Sequence, residues 1–467
     1  MATSPLSNSV AAGQRPVPAM LVLLTLAIGF VMAMIDVTAV NTALSDIAVS
    51  LGVPLSGLVW VVDGYTLTFA ALLLAGGALA DRYGARTVYQ SGLTLFILSS
   101  ALCALAASGP ALVAARLLQG AGAALFMPSS LSLLTHSFDD DRTRSRMLGS
   151  WTAIVGCSSS VGPLVGGVLV HAFGWRSVFW VNVPIGLLGI VLTQALVPAM
   201  PRHTRALPLL SHGLGVAALV ALSFVLIEGP VLGWTSVPVA LAGLCALLTA
   251  TVLVQRERHG ELPMLPRALF AKAAFVAASG VGFLNNLAVY GQLFLLSLFL
   301  QQAGRADALH TGLQLLPMMA CYAVGNTVSG RIMARVGTRL PMLYGLAVGT
   351  AAALALMNLG PATPYWLLTA GAMVMNVAIG IVIPGMTTTV MLVAGRSHAN
   401  SAAAALNANR QIGALVGVAL MGSVLHMVPE WRWRLPLAFG LITLAYAGAW
   451  LLVYRYVRLG RPSGAGE

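Results

Sequence analysis

Gly77-Ala78-Leu79-Ala80-Asp81-Arg82-Tyr83-Gly84-Ala85-Arg86 recurs as Gly330-Arg331-Ile332-Met333-Ala334-Arg335-Val336-Gly337-Thr338-Arg339. The glycines at the first and eighth places and the arginines at the sixth and tenth repeat at a constant offset of 253 residues, the distance from Gly77 to Gly330. Each copy sits where a long apolar run ends. A helix-end signature repeated in a very hydrophobic chain points to a membrane protein built from two related halves. Only the first copy carries the acid, Asp81; the second has Ala334.

Composition supports that reading. Of 467 residues, 58% are hydrophobic and 8% are charged. Soluble domains carry about 25% charged residues, so this chain cannot clothe a water-facing surface and is expected to be an all-α polytopic membrane protein. The net charge of +12 does not argue for nucleic acid, because the arginines fall in short loops between apolar runs. The four cysteines, Cys103, Cys157, Cys245 and Cys321, lie in apolar runs without metal-ligand spacing and are expected to be buried small hydrophobes. The N-terminal segment does not read as a cleaved signal, since the apolar run after Arg15 is too long.

A span needs about 20 mostly apolar residues. Fourteen can be read: 20–44, 58–80, 88–107, 110–135, 145–173, 178–197, 213–227, 237–254, 273–300, 311–331, 340–359, 366–394, 402–428 and 436–456. With the N-terminus cytoplasmic, inner segments hold nineteen basic residues and outer loops hold four, Arg176, Arg305, Arg432 and Arg434. That asymmetry places both termini in the cytoplasm. The offset pairs the second span with the tenth, so two spans have been inserted between two sets of six. The expected divisions are a tail at 1–17, a six-helix bundle at 18–200, two inserted helices at 201–260, a second six-helix bundle at 261–457 and a tail at 458–467.

The intramembrane charges carry the chemistry. Asp36 alone among the acids lies well inside a span, where an ionised carboxylate costs about 2.5–3.5 kcal/mol on insertion scales. It either binds a coupling ion or substrate, or is a structural acid held by helix ends and hydroxyls. Arg116, in span four, cannot shed its charge and needs an anion; Asp36 is the obvious partner. The pair is either a proton-coupling unit or a static stitch between helices. Gly162-Pro163-Leu164-Val165-Gly166-Gly167 reads as a packing seam or hinge, because glycines permit close approach and proline removes a donor. The stretch with Gly77, Asp81, Arg82, Gly84 and Arg86 suits a cytoplasmic gating loop, or arginines that simply hold the loop inside. Asp63, Asn285, Asn286, Tyr290, Gln292, Tyr322, Asn326 and Asn376 are polar groups in apolar runs that line a substrate cavity or hydrogen-bond between helices. No P-loop, zinc spacing or nucleophile elbow is present, and the sole lysine is Lys272. Energy coupling within this chain is therefore expected to be ionic.

Together these residues resemble the major facilitator superfamily, and within it the drug:proton antiporters with fourteen spans. Ile35 to Leu44 is similar to that group's first-helix motif, Gly77 to Arg86 to the superfamily loop motif, and Arg116-Leu117-Leu118-Gln119-Gly120 to the fourth-helix motif linked with proton transfer. Gly162 to Gly167 resembles the antiporter motif of exporters, and Trp175-Arg176, Asn182-Val183-Pro184, Glu228-Gly229-Pro230 and Asn409-Arg410-Gln411 are typical of the group. Departures are Ser45, Ala85 and Ser158, where proline, a basic residue and glycine are usual.

The resemblance implies a multi-pass transporter of the bacterial cytoplasmic membrane. It would export small amphipathic organic molecules, probing an antiporter mechanism driven by the proton gradient with no bound cofactor or metal. The expected partners are a small-molecule substrate and the lipid bilayer, with no nucleic acid, and the expected state is a monomer. The rivals are a same-fold importer and a non-transporting membrane sensor or scaffold. No catalytic constellation supports an enzyme.

Overall fold

The computed structural model describes residues 18–138, 140–198, 208–260, 262–395 and 398–457. They form sixteen helices and no strand: α1 (Ala19–Leu51), α2 (Leu55–Tyr83), α3 (Ala85–Leu105), α4 (Gly109–His136), α5 (Asp141–Phe173), α6 (Ser177–Trp180), α7 (Asn182–Leu196), α8 (Leu209–Leu232), α9 (Val237–His259), α10 (Arg267–Phe270), α11 (Ala273–Gln302), α12 (Ala308–Val336), α13 (Arg339–Leu356), α14 (Tyr365–Ala394), α15 (Ala399–Met427) and α16 (Trp431–Tyr456). Local chemistry sets several ends. Ser108 caps α4 by accepting from the Ala111 amide, with Pro110 in the first turn. Asp307 caps α12 by accepting from the His310 amide at 2.8 Å.

Among the described residues twelve segments, not fourteen, are long and apolar enough to cross a membrane by length and composition. α6 and α7 together make one of them, Ser177–Leu196. The two expected spans outside this set are α5, whose described apolar part is Ser160–Phe173, and α12, which carries Arg331 and Arg335. Both have membrane-crossing length, and they pack against each other and against α1 and α14. Their polar residues can therefore face protein, which is why they are less apolar than lipid-facing helices. The tails 1–17 and 458–467 and the division near 200 lie outside the described residues, as does residue 261 at the division near 260.

Pairing repeats in the two halves. α2 and α3 pack on α4 as α12 and α13 pack on α14; α1 packs on α5 as α11 does on α15. α3 packs on α7, and α13 on α16. The repeated sequence behaves alike in both places. Gly84 and Gly337 follow their helices with φ of 92° and 75°, a region that favours glycine. The arginine two residues after each then ties its loop to the last helix of its own bundle. Arg86 Nη2 donates to the Gln194 carbonyl at 2.7 Å, and Arg339 Nη2 donates to the Tyr454 carbonyl at 3.0 Å.

α8 and α9 form a hairpin outside this symmetry. α8 lies where α2 and α15 meet. Trp60 Nε1 donates to Glu228 Oε1 at 2.7 Å, and Ser423 Oγ donates to the Leu226 carbonyl at 2.8 Å, so α8 touches both bundles. α9 packs on α8 and leaves 94% of its apolar window unburied, as a lipid-facing helix would. Cys245 on α9 and Cys157 on α5 are exposed and only Cys103 is fully buried, which corrects the expectation of four buried thiols. In a membrane protein an apolar run does not imply an interior position, because the outer surface is apolar too.

In the orientation expected from the arginines, the bundles meet along the outer halves of their helices. Ser297 Oγ and Gln301 Nε2 donate to the Asn41 carbonyl at 2.6 and 3.2 Å, and the Ser45 amide donates to Gln301 Oε1 at 3.2 Å. Ser160 Oγ reaches the Met319 carbonyl at 3.0 Å. One apolar core runs through the second bundle and into the outer ends of α1, α2 and α4; a second fills the cytoplasmic half of the first bundle. In the orientation set by the arginines, this conformation is closed toward the outside.

Candidate functional site

Within the first bundle α1, α2, α3, α4 and α7 converge on Asp36. Asp36 and Arg116 are each 1% exposed. Arg116 Nη1 donates to Asp36 Oδ2 at 2.5 Å and to Gln119 Oε1 at 2.6 Å. Asp36 Oδ1 accepts from Gln119 Nε2 at 2.9 Å and from Asn182 Nδ2 at 3.0 Å. Ser100 Oγ accepts from Gln119 Nε2 at 2.8 Å and from Asn182 Nδ2 at 3.4 Å. Arg116 Nε donates to the Val61 carbonyl at 3.0 Å. Its guanidinium also stands 4.6 Å from the Tyr65 ring centroid and 5.8 Å from that of Phe179, within cation–π range.

This is how a buried ion pair is made tolerable: both charges are hydrogen-bonded as well as paired. The arrangement is also directional. Each oxygen of Asp36 meets only donors. On Oδ1, which meets two donors, a proton would place O–H against N–H and force one away; Oδ2 accepts from Arg116 alone. The cluster as it stands satisfies Asp36 as a carboxylate, and a proton there would remove Arg116's counter-charge.

Helical spacing on α4 puts Arg116 and Gln119 on one face, three residues apart. Sequence reasoning found Asp36 and Arg116, quoted Gln119 and Asn182 only within motifs, and assigned no role to Ser100 or Tyr65. The signal for those last two is a polar group inside an apolar run, shared with many other residues of the chain. The Val61 carbonyl has no sequence signal at all.

Gly162 to Gly167 forms a seam, not a binding surface. A methyl at Gly162 or Gly166 would strike Thr38, or Ala39 and Thr42, of α1. A methyl at Gly167 would strike the Ala308 carbonyl of α12, while the Pro163 carbonyl lies against Gly312. α5 is therefore wedged between its own bundle and the other. The stretch expected as a loop is helical except at Gly84: Gly77 to Tyr83 end α2, and Ala85 and Arg86 begin α3. A methyl at Gly77 would make only an ordinary contact with Pro128, at 3.9 Å. Arg82 lies over the Tyr83 ring, and Asp81 takes part in an interaction at the end of α2.

The polar residues expected along a cavity separate into groups. Asn376 Nδ2 donates to the Met318 carbonyl at 3.2 Å, a helix-to-helix bond. Asn286 Oδ1 accepts from Arg410 Nε at 3.3 Å. Gln292 is buried with its amide atoms unpaired, and Asn285 is buried. Tyr290 packs against both cores, and Tyr322 is half-buried beside it in the second bundle. Asp63 is fully buried with neither oxygen paired. Helical periodicity puts it on the face of Val59, which meets Gly422 of α15, so it belongs to the α2–α15 seam. The larger described cavity, about 720 Å³, is elsewhere, between α12, α13 and α14, lined by apolar residues such as Val336, Tyr344 and Val377. Among the described residues no group of three or more His, Cys, Asp or Glu is placed to hold a metal.

Comparisons with known proteins agree with this architecture. The model of the Major Facilitator Superfamily matches residues 26–418 and again 278–467. The Methylenomycin A resistance protein of Bacillus subtilis (strain 168) is 46% identical over 447 residues, covering 96% of each chain. The protein of that name from Streptomyces coelicolor is 46% identical over 459 residues, covering 97% of each. The Multidrug resistance protein Stp of Mycobacterium tuberculosis is 35% identical over 407 residues, covering 87% of this chain and 76% of that one. Among solved structures, a bacterial homologue of the human lysosomal transporter Spinster, inward-facing and unoccupied, aligns with a TM-score of 0.68 at 17% identity, over 95% of this chain and 98% of that one. The fold is shared across that distance, the relatives match nearly end to end, and the chain belongs to the Major Facilitator Superfamily.

Proposed function

We propose that the protein is a proton-coupled antiporter that exports small amphipathic organic molecules from the bacterial cytoplasm across the cytoplasmic membrane, acting as a monomer with no cofactor beyond the proton gradient. The observation that carries the reading is Asp36: a buried carboxylate inside a long apolar helix, held by Gln119 and Asn182 and with Arg116 as counter-ion. The relatives named for methylenomycin A resistance and multidrug resistance favour export of drugs or antibiotics over import or sensing.

In this mechanism α5 and α12 also cross the bilayer, giving fourteen spans. The bundles 18–200 and 261–457 rock about their interface, with 201–260 as the inserted pair. Asp36 is unprotonated while the outer seam is closed and substrate loads from the cytoplasm. A proton reaching Asp36 from outside removes Arg116's counter-charge and breaks the donor pattern, so the cluster repacks and substrate is released. Return to the closed-outside state delivers the proton inward. Where the cycle moves net charge, the membrane potential adds about 2.3 kcal/mol per charge per 100 mV. The Gly77–Arg86 loop holds the cytoplasmic ends in register during the motion.

The test is efflux in a pump-deficient bacterial host exposed to a panel of antibiotics and dyes, with everted vesicles to read proton release. The protein should raise tolerance to part of the panel, and compounds it exports should provoke proton loss from vesicles. Asp36→Asn should abolish both when compared with wild type at matched amounts of protein in the membrane. Undiminished export by that variant would reject the role given to Asp36.

A further inference from the structure

The two arginines inside the spans are treated differently. Arg116 is neutralised by Asp36. Arg410 lies eleven residues into α15, about 16 Å from its cytoplasmic start at about 1.5 Å per residue. It is half-buried. Its described polar contact is Nε donating to Asn286 Oδ1 at 3.3 Å, and it has no acidic partner among the described residues. A guanidinium cannot deprotonate to escape this.

Its surroundings add polar groups but no described acidic charge. Asn286 is 1% exposed, and its Nδ2 is buried without a partner. Since Asn286 Oδ1 is turned to Arg410, the unpaired Nδ2 belongs to the same locus. Tyr290 and Tyr322 stand in the electrostatic field of Arg410. Tyr290 touches the cores of both bundles, so the locus opens on the interface where substrate would be held. Charge across the two halves is unbalanced. In the first bundle Arg116 cancels Asp36, and Asp63 is buried with neither oxygen paired; the second holds a cation with no acidic partner among the described residues, beside the unpaired Asn286 amide.

We propose that Arg410, with Asn286, forms a subsite for a small organic anion, and that the exported substrates carry a carboxylate. This deepens the transport reading above and rests on it. The carboxylate would take the guanidinium's terminal N–H groups and the Asn286 amide, supplying the counter-charge that no described acid does. Quaternary cations would meet uncompensated like charge at the same place.

The experiment uses the full-length protein in the pump-deficient host, challenged with carboxylate-bearing fusidic and nalidixic acids, neutral chloramphenicol, and cationic ethidium and tetraphenylphosphonium. Loss of a hydrogen bond to a charged group corresponds to about ten-fold or more in affinity. Wild type should therefore protect selectively against the acids, and Arg410→Gln should lose that selectivity about ten-fold, while Arg410→Lys keeps most of it. Asn286→Asp, of nearly the same shape, would give Arg410 an internal counter-charge and should also remove the preference. Binding of nalidixate to each purified variant, read by tryptophan quenching, separates loss of affinity from loss of folding. Protection against cations or neutral compounds with none for the acids overturns the anion subsite and leaves the exporter reading intact. So does an Asn286→Asp protein that still prefers acids. Protection against no compound at all overturns both.

Discussion

Replacing Asp36 by Asn tests the donor pattern directly, because the geometry leaves the amide nowhere to fit. If Asn keeps its oxygen toward Arg116 Nη1, its NH2 meets Gln119 Nε2 and Asn182 Nδ2, which now stand 2.9 and 3.0 Å from Asp36 Oδ1. If it turns over, its NH2 meets Arg116 Nη1, now 2.5 Å from Oδ2. Gln119 cannot flip to help without giving up the Arg116 bond to its own oxygen at 2.6 Å. The substitution therefore leaves Arg116 buried without a counter-charge and at least one donor opposed by a donor. Breaking a buried pair by removing one partner costs about 3–5 kcal/mol, and that is the expected loss of stability. The assay is thermal unfolding of purified protein in detergent, with Arg116→Gln and the double variant completing the cycle. Since the two residues share one network, the double variant should recover about 0.5–3 kcal/mol relative to the sum of the singles. An Asp36→Asn protein within about 0.5 kcal/mol of wild type, with purely additive singles, would refute the argument.

Other consequences are open to test. Gly312→Val should push the Pro163 carbonyl away and prise apart the outer seam, raising maleimide labelling of a cysteine placed at Ser297; unchanged labelling would count against α5–α12 packing as the outer closure. Asp81→Asn should impair export far more than Ala334→Asp, because only the first copy carries an acid; equal effects would remove that distinction. The His310 amide and then its imidazole hold the Asp307 carboxyl below the usual carboxylate range. The cap's stabilising effect is thus complete above the unfolded value near 3.9 and is lost as pH falls through the lower folded value. Asp307→Ala should cost about 0.5–2 kcal/mol at neutral pH and show less acid sensitivity in thermal scans below pH 4; a variant that titrates like wild type would contradict the assignment.

Much of the architecture was legible because bilayers impose strong rules. Apolar length located the helices, and the repeat from Gly77 to Gly330 falls at the ends of corresponding helices, α2 and α12. Asp36 and Arg116 were legible because charges inside spans are few and each demands a partner. The rest of the site was not. Gln119, Ser100 and Asn182 are ordinary polar residues whose importance comes from meeting at one carboxylate, and the Val61 carbonyl is backbone. α5 and α12 separated from the other spans because a helix shielded by protein on several sides is free to be polar. Cys157 and Cys245 misled because apolar neighbours signal burial in water but not in lipid. Asp63 was read as a polar group of a possible cavity, and its helical face lies on the seam between α2 and α15.

The central claim is that protonation of Asp36, and the repacking it forces, couples proton entry to export. It is tested most directly in proteoliposomes holding purified protein and a trapped pH dye, with a compound drawn from the resistance panel. Wild type should lose trapped protons only when that compound is added outside, and Asp36→Asn should bind the compound yet move no protons. Compound-dependent proton flux of wild-type size in Asp36→Asn would contradict the account.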